Sequence, residues 1–455
     1  MADYLIQDTT LTGIADAIRG KTGGTGPIPV LGMAGAISGI QTGGGSGSVS
    51  QKEVNFYDYD GTLVAAYTVA EAQALTALPD GPVHEGLVFQ GWNWTLDKVK
   101  ALTMPMNVGA MYITDDGKTR LYIRIAAEGR MNVPLYFSQT VAGGVTIDWG
   151  DGSGTETLSG TGKVNTTHTY QGVGDYVITL DPADGCTLGL GSGSSSYCVM
   201  GSAGDNGRVY CNMLQKVELG RGVTSIGSYA FQYCYSLASV NIPDSVTSIE
   251  AFTFYYCYSL ASITIPDGVT SISEGAIAGC YSLTSVTIPD GVTSIGKSAF
   301  QYCYTLPSVT IPDGVTSIGE SAFQYCYSLA SVTIPDGVTS IEAFTFYYCY
   351  SLASITIPDG MTSIGGLYAF FYCYSLASVT IPDSVTSIGD GAFYRCYGMA
   401  EYHLKPTTPP TLLSKTVFEN IPSDCVIYVP AGCLEAYQTA TNWATHADKM
   451  REEPV

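Results

Sequence analysis

Eight cysteines, at positions 234, 257, 280, 303, 326, 349, 373 and 396, stand 23 residues apart, with a single interval of 24. A chain that returns to one residue at such a period builds one small unit per period and stacks the units, because a lone unit cannot bury its own apolar face. The period therefore predicts a solenoid of eight coils over residues 214–400. Residues 246–268 recur unchanged at 338–360, four units later, so a block of units has been duplicated.

Within one unit, Ile263 and Ile265 alternate with polar neighbours and so face inward from a short strand, and Pro266-Asp267-Gly268 turns the chain. Val269 and Ile272 begin the return leg. A phenylalanine (Phe254, Phe300, Phe323, Phe346, Phe370, Phe393) precedes its cysteine by three; the third unit departs, with Ile277 there and Gly279 before the cysteine. One inward cysteine per coil puts thiols about 5 Å apart in a buried row, where they act as small hydrophobes. Zinc or disulfide chemistry needs local pairs such as Cys-x-x-Cys, which the repeat lacks.

If the cysteine points inward on a locally extended segment, its neighbours point outward. The following residue is tyrosine in every unit: Tyr235, Tyr258, Tyr281, Tyr304, Tyr327, Tyr350, Tyr374 and Tyr397. The preceding residue is tyrosine in six: Tyr233, Tyr256, Tyr302, Tyr325, Tyr348 and Tyr372. Two outer rows of phenols make a rigid amphipathic surface able to bind sugars or protein side chains at small entropic cost. The competing reading is a self-packed ladder that only covers the coil edge. The turn aspartates (Asp244, Asp267, Asp290, Asp313, Asp336, Asp359, Asp383) form another row; it holds either Ca²⁺ or, as exposed turn carboxylates usually do, only local backbone.

Charged residues are 13% of the chain, about half the usual share, and glycine is abundant at 53, which favours a turn-rich, mainly β protein. The formal charge of −21, with no basic run, excludes nucleic acid as a partner. No apolar stretch reaches the roughly 18–20 residues of a membrane helix, so no membrane insertion is expected. The opening residues Met1 to Asp8 have neither the basic nor the apolar part of a secretory leader, so synthesis and assembly in the cytoplasm are expected. Four histidines (His84, His168, His403, His446) are scattered over different modules without nucleophile-elbow, phosphate-loop or metal-protease spacing, so the chain reads as neither an enzyme nor a cofactor carrier.

Ahead of the repeats the chain reads as several modules. In residues 1–42, Leu11, Ile14, Ala15 and Ile18 share one face of a helix capped by Thr9 or Thr10, and Met33, Ile37 and Ile40 one face of a second. Helices this short do not hide such faces alone; they form a docking or oligomerisation module, or a hairpin packed on the next domain. A Gly/Ser linker occupies 43–52. Residues 53–115 read as a small α+β module with a strand from Val54, an Asp60-Gly61 turn, a helix from Val69 to Ala77 and a strand around Phe89–Trp94. Strand signals at Arg120, Val133, Val145, Asn165 and Tyr176 predict a β-sandwich over 116–183.

Three stretches resemble known families. Asp148-Trp149-Gly150-Asp151-Gly152-Ser153, followed by His168-Thr169-Tyr170 and Gly174-Asp175-Tyr176-Val177, is similar to the polycystic-kidney-disease-type (PKD) module, an immunoglobulin-like sandwich with a core tryptophan beside an Asp-Gly turn. Asp148 and Asp151 there either bond local backbone or hold Ca²⁺. The 23-residue unit resembles the BspA-type leucine-rich repeat, in which Cys-x-Ser-Leu leads to Ile-Pro, a Val and Ile return leg, and Ala-Phe-x-x-Cys. That family usually has small polar residues beside the cysteine, so the tyrosines depart from it. The resemblance implies an N-terminal cap at 184–213 and a C-terminal cap at 401–455, the latter through Ile421 to Gly432, Leu434 to Tyr437 and Thr441-Asn442-Trp443.

Finally, Leu11 to Gly23 and the Pro-rich turn to Ile40 resemble the opening of tail or baseplate proteins of phages and prophages of Firmicutes. This resemblance implies a virion tail-tip receptor-binding protein. Residues 1–42 would dock to other tail proteins, the chain would be a homo-oligomer, commonly a trimer, and the tyrosine rows would meet a host surface glycan or protein. The alternative is a leucine-rich-repeat adhesin on a bacterial cell surface.

Overall fold

A computed structural model describes residues 54–58, 62–82, 87–92, 96–101, 106–114, 116–191, 197–202 and 208–454. The helical module expected at 1–42, the linker at 43–52, the Asp60-Gly61 turn and His84 lie outside the described residues. The chain divides into two compact units, 1–82 with 90–111, and 83–89 with 112–455.

The first unit is an α+β sheet module. Strands β1 (Val54–Tyr57) and β2 (Leu63–Tyr67), helix α1 (Val69–Gln73), β3 (Leu87–Trp92), α2 (Leu96–Lys100) and β4 (Met106–Thr114) give a four-stranded sheet of order β2-β1-β4-β3. Helix α1 starts where Thr68 and Glu71 cap each other: the Thr68 hydroxyl accepts from the Glu71 N–H at 3.2 Å, and the Glu71 carboxylate from the Thr68 N–H at 2.8 Å. Alternation on β1 buries Val54 and Phe56, and Phe56 meets Trp92 edge-on at 4.9 Å.

In the second unit, β5 (Thr119–Ile125), β6 (Asn132–Gln139), β7 (Val145–Asp148), β8 (Thr155–Thr157), β9 (Gly162–Thr169) and β10 (Gly174–Pro182) form a two-layer sandwich. Trp149 is buried in it, stacked on His168 at 4.8 Å, and its carbonyl accepts from the Tyr170 hydroxyl. β11 (Leu188–Leu190) follows, then the hairpin β12 (Tyr197–Cys198) and β13 (Gly201–Ser202), helix α3 (Arg208–Cys211), β14 (Leu214–Glu218), β15 (Val223–Ile226) and β16 (Ser239–Asn241). A disulfide joins Cys198 to Cys211. Its two partners lie outside the periodic set, and their spacing gives no local signal of pairing.

The sandwich and the repeats are not separate bodies. β14 pairs antiparallel with β5 and parallel with β16, so one sheet runs β16-β14-β5-β10-β7-β8; β15 pairs with β11, so the other runs β15-β11-β6-β9. One continuous core extends from Leu121 to Met450. The boundaries expected at 183 and 213 therefore do not separate two cores. The physical reason is that a sandwich edge and the first coil each present unpaired backbone groups, and pairing them satisfies both.

From there the chain is a mainly β solenoid of about ten turns with little helix. Successive coils pair in parallel without slippage, Ser262 opposite Ser285 and Ser331 opposite Ser354 on one file, Ser271 opposite Ser294 and Ser317 in turn on the other. The inward set is as the pattern requires: Ile263, Ile265, Val269, Ile272, Phe254, Cys257 and Leu260 are all buried. The segment expected as a cap adds further rungs, with Glu401–Leu404, Val426–Val429 and Met450–Glu452 continuing the file of Ser378–Ile381. The end is then plugged by Trp443 and Tyr437, which donate to the carbonyls of Pro410 and Pro406, each at 2.7 Å.

Candidate functional site

The tyrosine rows lie on the coil edge where the chain turns toward each cysteine. In every unit the residue before the cysteine is left-handed, with φ of 60–62° at Tyr233, Tyr256, Tyr302, Tyr325, Tyr348, Tyr372 and Arg395, and 77° at Gly279. A non-glycine residue in this region costs roughly 1–2 kcal/mol, so the surroundings must hold it there. The hold is a ladder between coils, in which the N–H of Tyr256 donates to Ala278, that of Tyr302 to Gln324 and that of Tyr325 to Tyr347. The residue after the cysteine then donates back across it, as Tyr304 does to the Tyr302 carbonyl at 2.9 Å and Tyr327 to Tyr325 at 3.0 Å. This three-residue turn, rather than an extended strand, sends the thiol inward and both phenols outward.

The cysteines are fixed by the same stacking. From Cys257 to Cys396 each thiol donates to a carbonyl of the preceding coil, Cys257 to Phe231 at 3.2 Å and Cys349 to Phe323 at 3.2 Å, and Ile277 serves Cys303 at 3.4 Å. Burial pushes these thiols up, Cys303 to about 12. They are inert at neutral pH. The phenylalanine rings form an internal column, stacked at 5.4 Å between Phe300 and Phe323 and 5.3 Å between Phe346 and Phe370.

The row after the cysteine stacks without a break: Tyr235 on Tyr258 at 4.4 Å, then Tyr281, Tyr304, Tyr327, Tyr350 and Tyr374 at 4.3–5.0 Å, ending on Tyr397 at 5.4 Å. The row before it runs from Tyr233 to Tyr256, is interrupted by Gly279, whose backbone the Tyr256 ring covers, and resumes through Tyr302, Tyr325, Tyr348 and Tyr372. Edge-on contacts tie the rows together, as between Tyr325 and Tyr327. Each ring is covered by the next, so twelve of the fourteen are half-buried and only Tyr374 and Tyr397 are exposed. Along the rows the surface consists of ring edges and hydroxyls, not free ring faces. Desolvation by burial raises Tyr302, Tyr304, Tyr325, Tyr327 and Tyr350, the last to about 12.

A third aromatic column lies beside the two rows and was not anticipated. Tyr229, Phe252 and Tyr255 form it at one end, and Phe344, Tyr347, Tyr368, Phe371 and Tyr394 at the other, with Tyr347 on Phe371 at 4.8 Å. Between them Gln301 and Gln324 hydrogen-bond to each other. Its signal was present in the duplicated block, where Phe252-Thr253-Phe254-Tyr255-Tyr256 recurs at 344–348.

The remaining candidates have local roles. The aspartate row is exposed, and among the described residues no group of His, Cys, Asp or Glu is arranged to hold a metal ion. Asp148 accepts from the Gly150 N–H and Asp151 from the Ser153 N–H and His168, which hold the Asp151 carboxyl down at about 2. His403 bonds Glu453 at 2.9 Å, and His446 bonds the Lys415 carbonyl.

Residues 208–306 and 293–425 match the family profile described as "BspA type Leucine rich repeat region", in six copies. Among solved structures the chain is similar to a leucine-rich repeat protein from Bacteroides ovatus, at 25% identity over 45% of this chain and 66% of that one, with a TM-score of 0.32. It is also similar to a leucine rich cell surface protein from Faecalibacterium prausnitzii, at 25% identity over 63% of this chain and 89% of that one, with a TM-score of 0.30. A T. pallidum leucine rich repeat protein gives 24% identity, 46% and 85% coverage and a TM-score of 0.31. No curated protein matches.

Proposed function

With residues 208–425 a BspA-type leucine-rich repeat region, we propose that the protein is a non-catalytic adhesion protein that binds a bacterial surface glycan or protein along its tyrosine edge. The single observation that carries this reading is the unbroken stack from Tyr235 to Tyr397, an ordered amphipathic surface in a place where the solenoid needs no aromatic residue to close its core. Rigid, prepaid side chains lose little entropy on binding.

Two settings are compatible with this activity. In the first, the chain is a receptor-binding protein at a phage or prophage tail tip, with residues 1–42 docking to baseplate partners, the PKD-like sandwich as part of the stalk and the chain oligomeric. In the second, it is an adhesin on a bacterial cell surface; the Cys198–Cys211 disulfide favours a protein that works outside the cytosol, which suits both. Among the described residues no helix is long and apolar enough to cross a membrane.

The test is attachment of the purified chain to bacterial cells. Tyr304→Phe, Tyr327→Phe and Tyr350→Phe together keep the ring stack and remove three hydroxyls; the corresponding serine triple removes the stack as well. Attachment should fall in both, and the phenylalanine triple should keep the wild-type melting temperature. Full attachment by the serine triple would remove the edge from the mechanism.

A further inference from the structure

The tyrosine edge changes character at its C-terminal end. In the eighth unit the residue before the cysteine is Arg395, left-handed like the tyrosines it replaces. Its guanidinium lies 5.1 Å from the centre of the Tyr372 ring and 5.3 Å from that of Tyr394, and Nη1 donates to the Tyr372 hydroxyl. Among the described residues no carboxylate pairs with it, and its buried Nε has no hydrogen-bond partner. Between Arg221 and Arg395 the chain holds one basic residue, Lys297, which is paired with Glu320 at 3.2 Å. One coil further on, Lys415 and Lys449 line a cavity of about 380 Å³ with Glu419 and Asn420, and the Arg395 N–H donates to the Glu419 carbonyl. The two most exposed rings of the rows, Tyr374 at 39% and Tyr397 at 51%, stand at this same end.

A guanidinium with no carboxylate partner is suited to a carboxylate, and the exposed ring that ends the stack, Tyr397, is suited to the apolar face of a sugar. The chain's charge of −21 acts against polyanions at longer range. The complementary partner therefore carries a localised negative charge rather than a charged backbone. We infer that Arg395, framed by Tyr372, Tyr374, Tyr394 and Tyr397, is a subsite for a carboxylate-bearing sugar residue of a glycan. This deepens the adhesion reading and rests on it.

The experiment is an array of oligosaccharides in matched pairs, sialylated or uronate-bearing against the neutral counterpart, probed with the full chain and with Arg395→Gln and Arg395→Lys. The wild type should prefer the acidic member of at least one pair by about tenfold. Arg395→Gln should abolish that preference without lowering the melting temperature, and Arg395→Lys should restore part of it. No preference for any acidic member, or a preference untouched by Arg395→Gln, overturns the subsite. If neutral glycans or cells are still bound in that case, the adhesion reading stands; if the chain binds neither glycans nor cells, that reading falls as well.

Discussion

The thiol of Cys326 donates to the carbonyl of Phe300 one coil earlier, at 3.2 Å, while that carbonyl also accepts from the Cys303 N–H of its own coil. The cysteine is thus a staple between neighbouring turns as well as core filling. Cys326→Ala removes the donor and leaves space at a fully buried site, and should cost about 1–3 kcal/mol in denaturant unfolding with an unchanged slope. In the native protein a thiol reagent should leave the eight periodic cysteines unmodified and react at half-buried Cys433. Fast native labelling of the periodic thiols would mean that the coils open.

The tyrosine edge should make stability depend on alkaline pH. Burial, followed by the neighbouring phenols, raises Tyr350 to about 12, and Tyr304 and Tyr327 are raised as well. A folded pKa above the unfolded value of about 10 contributes stability that is complete below pH 10 and is lost as pH rises through the folded value. Urea midpoints should therefore fall between pH 10 and 12, and fall less in the triple phenylalanine variant. A pH-independent midpoint across that window would show the phenols equally hydrated in both states.

Much of this architecture was legible because periodicity forces it. The spacing of the cysteines gave the coil, the alternation at Ile263 and Ile265 gave the inward face, and the strands from Arg120, Val133, Val145, Asn165 and Tyr176 lie within observed elements. Both rows lie on the coil edge, where a turn across the cysteine replaces the expected extended segment. Their partial burial was not legible, because it arises from each ring covering its equivalent one coil away. Nor was the pairing of β14 with β5, which joins residues nearly a hundred positions apart and leaves no local pattern.

The Cys198–Cys211 bond closes a loop beside the junction of sandwich and coils. Reduction, or Cys211→Ser, should cost about 2–3 kcal/mol by releasing chain entropy in the unfolded state. A scan with and without reductant should show a lower melting temperature in the reduced protein and no change in the variant.

Trp443 is fully buried at the far end, against Phe418 at 5.4 Å and Tyr437 at 5.0 Å. Trp443→Ala should cost about 3–5 kcal/mol and expose the last coil. Size-exclusion chromatography should then show association beyond the wild-type state through the opened end, whereas an unaltered elution profile and melting temperature would show that the end seals without it.

Because both sheets of the sandwich run on into the coils and every rung repeats its neighbour's register, the array has no preferred length. Gaining or losing one whole unit would leave both sealed ends intact and shift the distal tip by about 4.8 Å. Recombination between the identical stretches 246–268 and 338–360 could thus reset reach in four-unit steps, without inventing a single new contact.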